Sequence, residues 1–230
     1  MRSEIAALNQ GVRNARDAQS LLQTADGALQ IIDEKLIRMK ELAEQAATGT
    51  YNSLQRNIMN NEFVTMRSEI TRIASAVKFN GVQLLNGTIS SYSNDPRGLK
   101  IHFGPTNNAA QDYYFINLGD ARAQSLGIET LSIASQNGAQ AALEALDRAI
   151  TSKDTIRADI GAYINRLSNT ISQLTIQAEN LQSAESRIRD VDVATEMTSF
   201  VNNQIKSQAA VSMLAQANSI PQMALTLIGG

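Results

Sequence analysis

The chain has 230 residues, a formal net charge of −2 and neither tryptophan nor cysteine. Its length permits a sizeable core, and the missing thiols exclude disulfides, cysteine nucleophiles and thiolate metal sites. Arg residues scattered among Asp and Glu give no basic field for nucleic acid, and the scarcity of aromatics points to small side chains packed between helices.

From Ile5 to Ala46, apolar or small residues recur every seven positions. Leu8, Ala15, Leu22, Leu29, Leu36 and Ala43 form one column; Gly11, Ala18, Ala25, Ile32, Met39 and Ala46 lie three residues later. A stripe held for about six heptads predicts a long helix packed lengthwise on a partner. Gly27 costs this helix about 1 kcal/mol against alanine. The opening "MRSEIAALNQGV" is already amphipathic and does not read as a signal peptide.

"TGTYNS" interrupts the pattern, and a second helix follows with Met59, Phe63, Met66, Ile70, Ile73 and Val77 on one face. It stops at "KFNGVQLLNG", where Asn80-Gly81 and Asn86-Gly87 are turn signals. Two short strands are expected in "LKIHF" and "YYFINL", with one helical turn in "DARAQSLGI". After "SQNG" a third long helix begins, whose column Ile160, Leu167, Leu174, Leu181 and Ile188 is flanked by Ile164, Ile171 and Ala178. The expected fold is mainly α: an antiparallel bundle or coiled-coil rod of long helices with a small β-hairpin region at about 88–135, plus a carboxy-terminal helix.

"SRIRDVDVATE" predicts a break, after which the helical period resumes. Val201, Ile205, Met213, Ile220, Met223 and Leu227 share a broad arc, while Val211, Leu214 and Leu225 fall mostly opposite. Lys206 is the last charged side chain, so this helix is apolar on two sides and wants enclosure. A membrane span would place Gln216, Asn218, Ser219, Pro221 and Gln222 in hydrocarbon, so no span is expected. Pro221 predicts a kink or a new turn. Other copies of the chain satisfy the requirement better.

Several stretches together resemble bacterial flagellin. They are "LNQGVRNARDAQSLLQTADGAL", "IDEKLIRMKELAEQAATGTY", "TRIASAVKFNGVQLLNG", "AENLQSAESRIRDVDVATEMTSFVNNQI" and "MLAQANSIPQMALTLIGG". The resemblance implies a helical domain called D1 over residues 1–190 and the carboxy-terminal half of a domain called D0 over 191–230. It also implies that the variable outer domains of many relatives are replaced by the short "SSYSNDPRGLKIHFGPTNN", and that the family's usual amino-terminal segment is absent.

By the same resemblance the chain is a structural, non-enzymatic subunit of the bacterial flagellar filament. It would self-assemble into a helical tube for motility, be exported by the flagellar type III route and act outside the cell. A hook-filament junction protein or a surface adhesion module are the alternatives. Implied partners are other copies, the filament cap and junction proteins, and an export chaperone at the carboxy-terminal segment. The tail residues expected in assembly and chaperone binding are Val201, Ile205, Val211, Met213, Leu214, Ile220, Met223, Leu225 and Leu227. In the family a Toll-like receptor of animal hosts contacts a D1 surface that maps here to Arg38, Leu42 and Glu69; that contact expects Leu42 to be partly exposed, while the plain alternative pairs Arg38 with Glu34 and Glu41. His102, the only histidine, reads as a polar residue on a strand; with no cofactor, metal or catalytic residues expected, an enzyme reading has no motif behind it.

Overall fold

The computed structural model describes residues 1–89, 98–109, 111–190 and 192–229, without the side chains of Gln222 and residues 225–228. The chain divides into two compact units, Met1–Gln182 and Ser183–Gly230. Ser90 to Arg97, part of the stretch expected to replace outer domains, lies outside the described residues.

The first unit is built on α1 (Arg2–Ala47), α2 (Ser53–Ala76) and most of α3 (Gln136–Arg189). Both columns of the heptad stripe are buried along α1, and Leu21, Ala28 and Leu42 join them. The buried band is therefore wider than a two-column seam, because α1 packs against more than one neighbour. With Ala at so many of these positions, backbones approach closely and each Leu or Ile fills the space between.

α1 ends at Thr48, and Asn52 caps α2 with a reciprocal box: its Oδ1 accepts from Gln55 N at 2.9 Å and its own N–H donates to Gln55 Oε1 at 3.0 Å. Arg56 donates to the carbonyls of Ala46 and Thr48 at 2.8 Å each, satisfying the end of α1 from the start of α2. Phe63 and Ile70 of α2 are fully buried. α2 also holds the approach to α3: Asn60 Oδ1 accepts from Ile133 N, and Arg67 donates to Leu131 O.

Two antiparallel hairpins follow α2, the first of them made by a turn signal. β1 (Lys78–Phe79) pairs with β2 (Val82–Gln83) across Asn80-Gly81, both residues having positive φ, as a two-residue loop requires. β3 (Leu99–His102) pairs with β4 (Tyr113–Ile116) in the register Leu99↔Ile116 and His102↔Tyr113. Between them Asp112 is buried, accepting hydrogen bonds from Thr106 Oγ1 and Asn108 N, which hold its carboxyl below the usual carboxylate range. The expected helical turn in "DARAQSLGI" is a single turn, Leu126 N to Arg122 O, closed at Gly127 with φ 71°.

The second hairpin docks backbone to helix. A Cβ at Gly11 would lie 1.8 Å from the Phe103 carbonyl oxygen, and Asn14 Nδ2 donates to His102 O at 2.9 Å. Gly11 therefore occupies the α1 stripe because the Phe103 main chain fills the place of a side chain. Leu8, Val12, Phe103, Leu174 and Ala178 close a small core there, with Tyr114 against it. Gly11→Ala is expected to displace the hairpin and destabilise the chain by about 1–3 kcal/mol. Chemical denaturation measures the loss, and amide exchange should rise selectively across 99–116; an unchanged midpoint would contradict the docking.

Candidate functional site

α4 (Val193–Ile228) belongs to the second unit. The expected break falls at its start: α3 ends at Arg189, and Asp192 Oδ1 accepts from Ala194 N at 3.0 Å and Thr195 N at 3.4 Å. A carboxylate cap of this kind also favours the positive end of the helix dipole, and these bonds, led by that from the Thr195 hydroxyl, lower the Asp192 carboxyl from its ordinary value. The helix continues through Pro221 instead of restarting there.

Every described side chain of α4 is exposed except half-buried Ser219. Val201, Ile205, Met213, Ile220 and Met223 occupy an arc of about 120° at 100° per residue. Val211 and Leu214 lie on the other side, 65 % and 64 % exposed. The structure thus places seven of the nine tail residues on one exposed helix; the side chains of Leu225 and Leu227 lie outside the described residues. No helix among the described residues is long and apolar enough to cross a membrane.

Fully covering an aliphatic side chain gains roughly 1.5–3 kcal/mol. Seven half-covered ones therefore hold on the order of 10 kcal/mol before association costs, enough to decide where such a helix goes. Polar Gln216 and Asn218 interleave with them, which suits enclosure by protein with hydrogen-bonding groups.

A second surface lies across α1 and α2. Arg38 donates to Glu62 Oε1 at 2.9 Å and to Glu41 Oε2 at 3.0 Å, so its partner besides Glu41 is Glu62 of α2, not Glu34. Glu62 was not legible as a member of this group, because its contact depends on how the two helices align. Glu69 accepts a two-bond fork from Arg72 at 2.6 and 2.7 Å. The expectation that Leu42 is partly exposed is corrected: it is 2 % exposed, because the wide buried band of α1 includes its face. The surface is a set of paired charges in high dielectric, where each pair contributes little to stability.

His102 is half-buried and stacked on Tyr113 with ring centroids 5.9 Å apart. Among the described residues no cluster of three His, Asp or Glu could hold a metal.

Comparison with known proteins gives two family matches. The bacterial flagellin N-terminal helical region matches residues 1–90, and the bacterial flagellin C-terminal helical region matches residues 143–228. The flagellar filament 30.7 kDa core protein of Treponema maltophilum is 39 % identical over 236 residues, covering 99 % of this chain and 82 % of that protein. The crystal structure of Bacillus cereus flagellin aligns with a TM-score of 0.59 at 34 % identity, over 75 % of this chain and 94 % of that one. A flagellar hook-associated protein of Vibrio parahaemolyticus, 17 % identical, shares the fold at a TM-score of 0.58 over 80 % of this chain and 92 % of its own.

The match over residues 1–90 overturns the expectation that the family's amino-terminal segment is absent. The stretches "LNQGVRNARDAQSLLQTADGAL" and "IDEKLIRMKELAEQAATGTY", which carried part of the likeness, themselves lie in that amino-terminal helical region.

Leu42→Ala is expected to destabilise the chain by about 2–5 kcal/mol, as for a buried leucine, whereas Arg38→Ala should leave the melting temperature nearly unchanged. Thermal unfolding of both variants checks this; equal losses would mean that the Arg38 pairs stabilise the chain as much as the buried Leu42 does.

Proposed function

Because the chain belongs to the bacterial flagellin family, we infer that α4 is the element through which its copies enclose one another. The chain is a non-enzymatic structural subunit of the flagellar filament, self-assembling into a helical tube for motility, and its place is extracellular. The observation that carries the role of α4 is its exposure: an apolar helix, uncharged beyond Lys206, whose described side chains meet solvent on nearly every face. Contacts that repeat from copy to copy without closing generate a helical polymer.

On this reading residues 1–190 form the D1-like part and 191–230 the D0-like part. The break between α3 and the Asp192 cap supports that boundary. The tail group remains Val201, Ile205, Val211, Met213, Leu214, Ile220, Met223, Leu225 and Leu227. Before assembly such a surface is an aggregation hazard, so a flagellar export chaperone covers it, and export follows the flagellar type III route. Filament cap and junction proteins meet the same polymer at its ends. The junction-protein alternative has only the shared fold of the 17 % identical hook-associated protein behind it, while the filament reading has relatives of much higher identity.

Removing Ala209–Gly230 should abolish polymer growth, seen by electron microscopy of concentrated protein, and weaken chaperone binding at least tenfold in a titration. Filaments grown from the truncated chain would refute the role of α4; unchanged titration would refute the chaperone site alone.

The Arg38 and Glu69 surface serves contacts with neighbouring subunits and, in animal hosts, a Toll-like receptor. Its half-exposed guanidinium, which can exchange its bonds to Glu62 and Glu41 for those of a partner, supports this reading. Since Leu42 is buried, Arg38 and Glu69 carry the contact and Leu42 supports it from beneath. In a receptor reporter assay Arg38→Ala should reduce the response at least tenfold; no response to the unmodified chain would end the receptor reading.

A further inference from the structure

We propose that Lys153, with the ion pairs on either side of it, is a lock that sets the axial register between α1 and α3. Lys153 belongs to the heptad column Leu146, Lys153, Ile160, Leu167 and Leu174, every other member of which is a buried aliphatic residue. Its own side chain is 2 % exposed, and its ammonium reaches Asp33 of α1 and neighbouring Asp154, each at 2.6 Å. A single polar residue in an apolar heptad column is the best-attested device by which helices specify alignment.

The flanking pairs complete the lock. Arg157 holds Asp26 at 2.8 Å, and Asp147 holds Lys40 at 2.6 Å. Asp26, Asp33 and Lys40 are seven residues apart, so they stand in one row along α1. Read in order, this row is negative, negative, positive; the facing groups Arg157, Lys153 and Asp147 are positive, positive, negative.

The apolar stripe alone discriminates alignments poorly. Leu22, Leu29 and Leu36 recur every seven residues, so in the middle of α1 a slip of one heptad exchanges one leucine for the next; packing opposes it only towards the ends, where Ala15 and Ala43 stand in the column and Gly11 meets Phe103. The charges do discriminate. A slip in one direction sets Lys40 against buried Lys153 and leaves Asp147 facing Ala47. The opposite slip sets Asp33 against Asp147 and leaves Arg157 facing Gln19. Only the observed alignment pairs all three positions, and either alternative brings like charges together. This lock acts within a single chain and stands or falls independently of filament assembly.

The absence of cysteine allows the register to be read with spin labels at Gln30→Cys and Gln140→Cys, two exposed positions well separated along the helices. The labelled chain should give one distance. Adding Lys153→Leu, Arg157→Gln and Lys40→Gln should keep the helical content but introduce a second distance, displaced by about 10 Å for one heptad at 1.5 Å per residue. A single, unshifted distance in that variant would overturn the proposal. Should that variant fail to fold, Asp33→Lys is compared with Asp33→Lys combined with Lys153→Asp. The first should give the second distance and the reciprocal exchange should restore the original one; identical distributions for the two would equally overturn the lock.

Discussion

The constraint on which the rest depends is that α4 carries more apolar surface than it covers. Its residues are those of a core, distributed round a helix, yet their exposure is that of a surface. Apolar area in water is costly in proportion to its extent, and no arrangement of side chains around one helix removes it. The role proposed for α4 answers that requirement: a second polypeptide covers the surface, other copies in the polymer and, before assembly, a temporary chaperone.

The first unit meets the opposite requirement and completes its own core. α1 is the shared wall: its alanines admit neighbouring backbones, its leucines and isoleucines fill the layers, and Gly11 gives way to the Phe103 main chain. Its carboxy-terminal end is satisfied by side chains from elsewhere in the unit, notably Arg56 on the carbonyls of Ala46 and Thr48. Long helices with recurring layers make a stiff element, but the recurrence itself leaves alignment underdetermined. Charge order across α1 and α3 supplies the missing information, so apolar burial provides cohesion while the ion pairs select one alignment.

Much of this was legible in the amino-acid pattern. The heptad columns announced α1 and α3, the Asn-Gly pairs announced the turns, and the charged "SRIRDVDVATE" announced the break before α4. What was not legible depended on the second partner of each residue. Lys153 reads as a surface lysine until its column is extended back from Ile160 to Leu146. Leu42 falls outside the two named columns and is buried only because α1 is enclosed more broadly than a two-helix seam. Glu62 meets Arg38 across two helices, whereas a reading along one helix can see only Glu34 and Glu41. The opening of the chain deceives for a different reason: a heptad stripe looks the same wherever it falls along a rod, so periodicity alone does not show that α1 is itself the amino-terminal region of the family.

The most direct test is amide hydrogen exchange along α4, measured in the free monomer and again in the assembled polymer. The account predicts rapid exchange from Val201 to Ile220 in the monomer, where only intrahelical bonds protect the amides, and strong protection of the same residues once copies surround them. Firm protection already present in the partner-free monomer would contradict it, because the apolar surface would then be covered without a second chain.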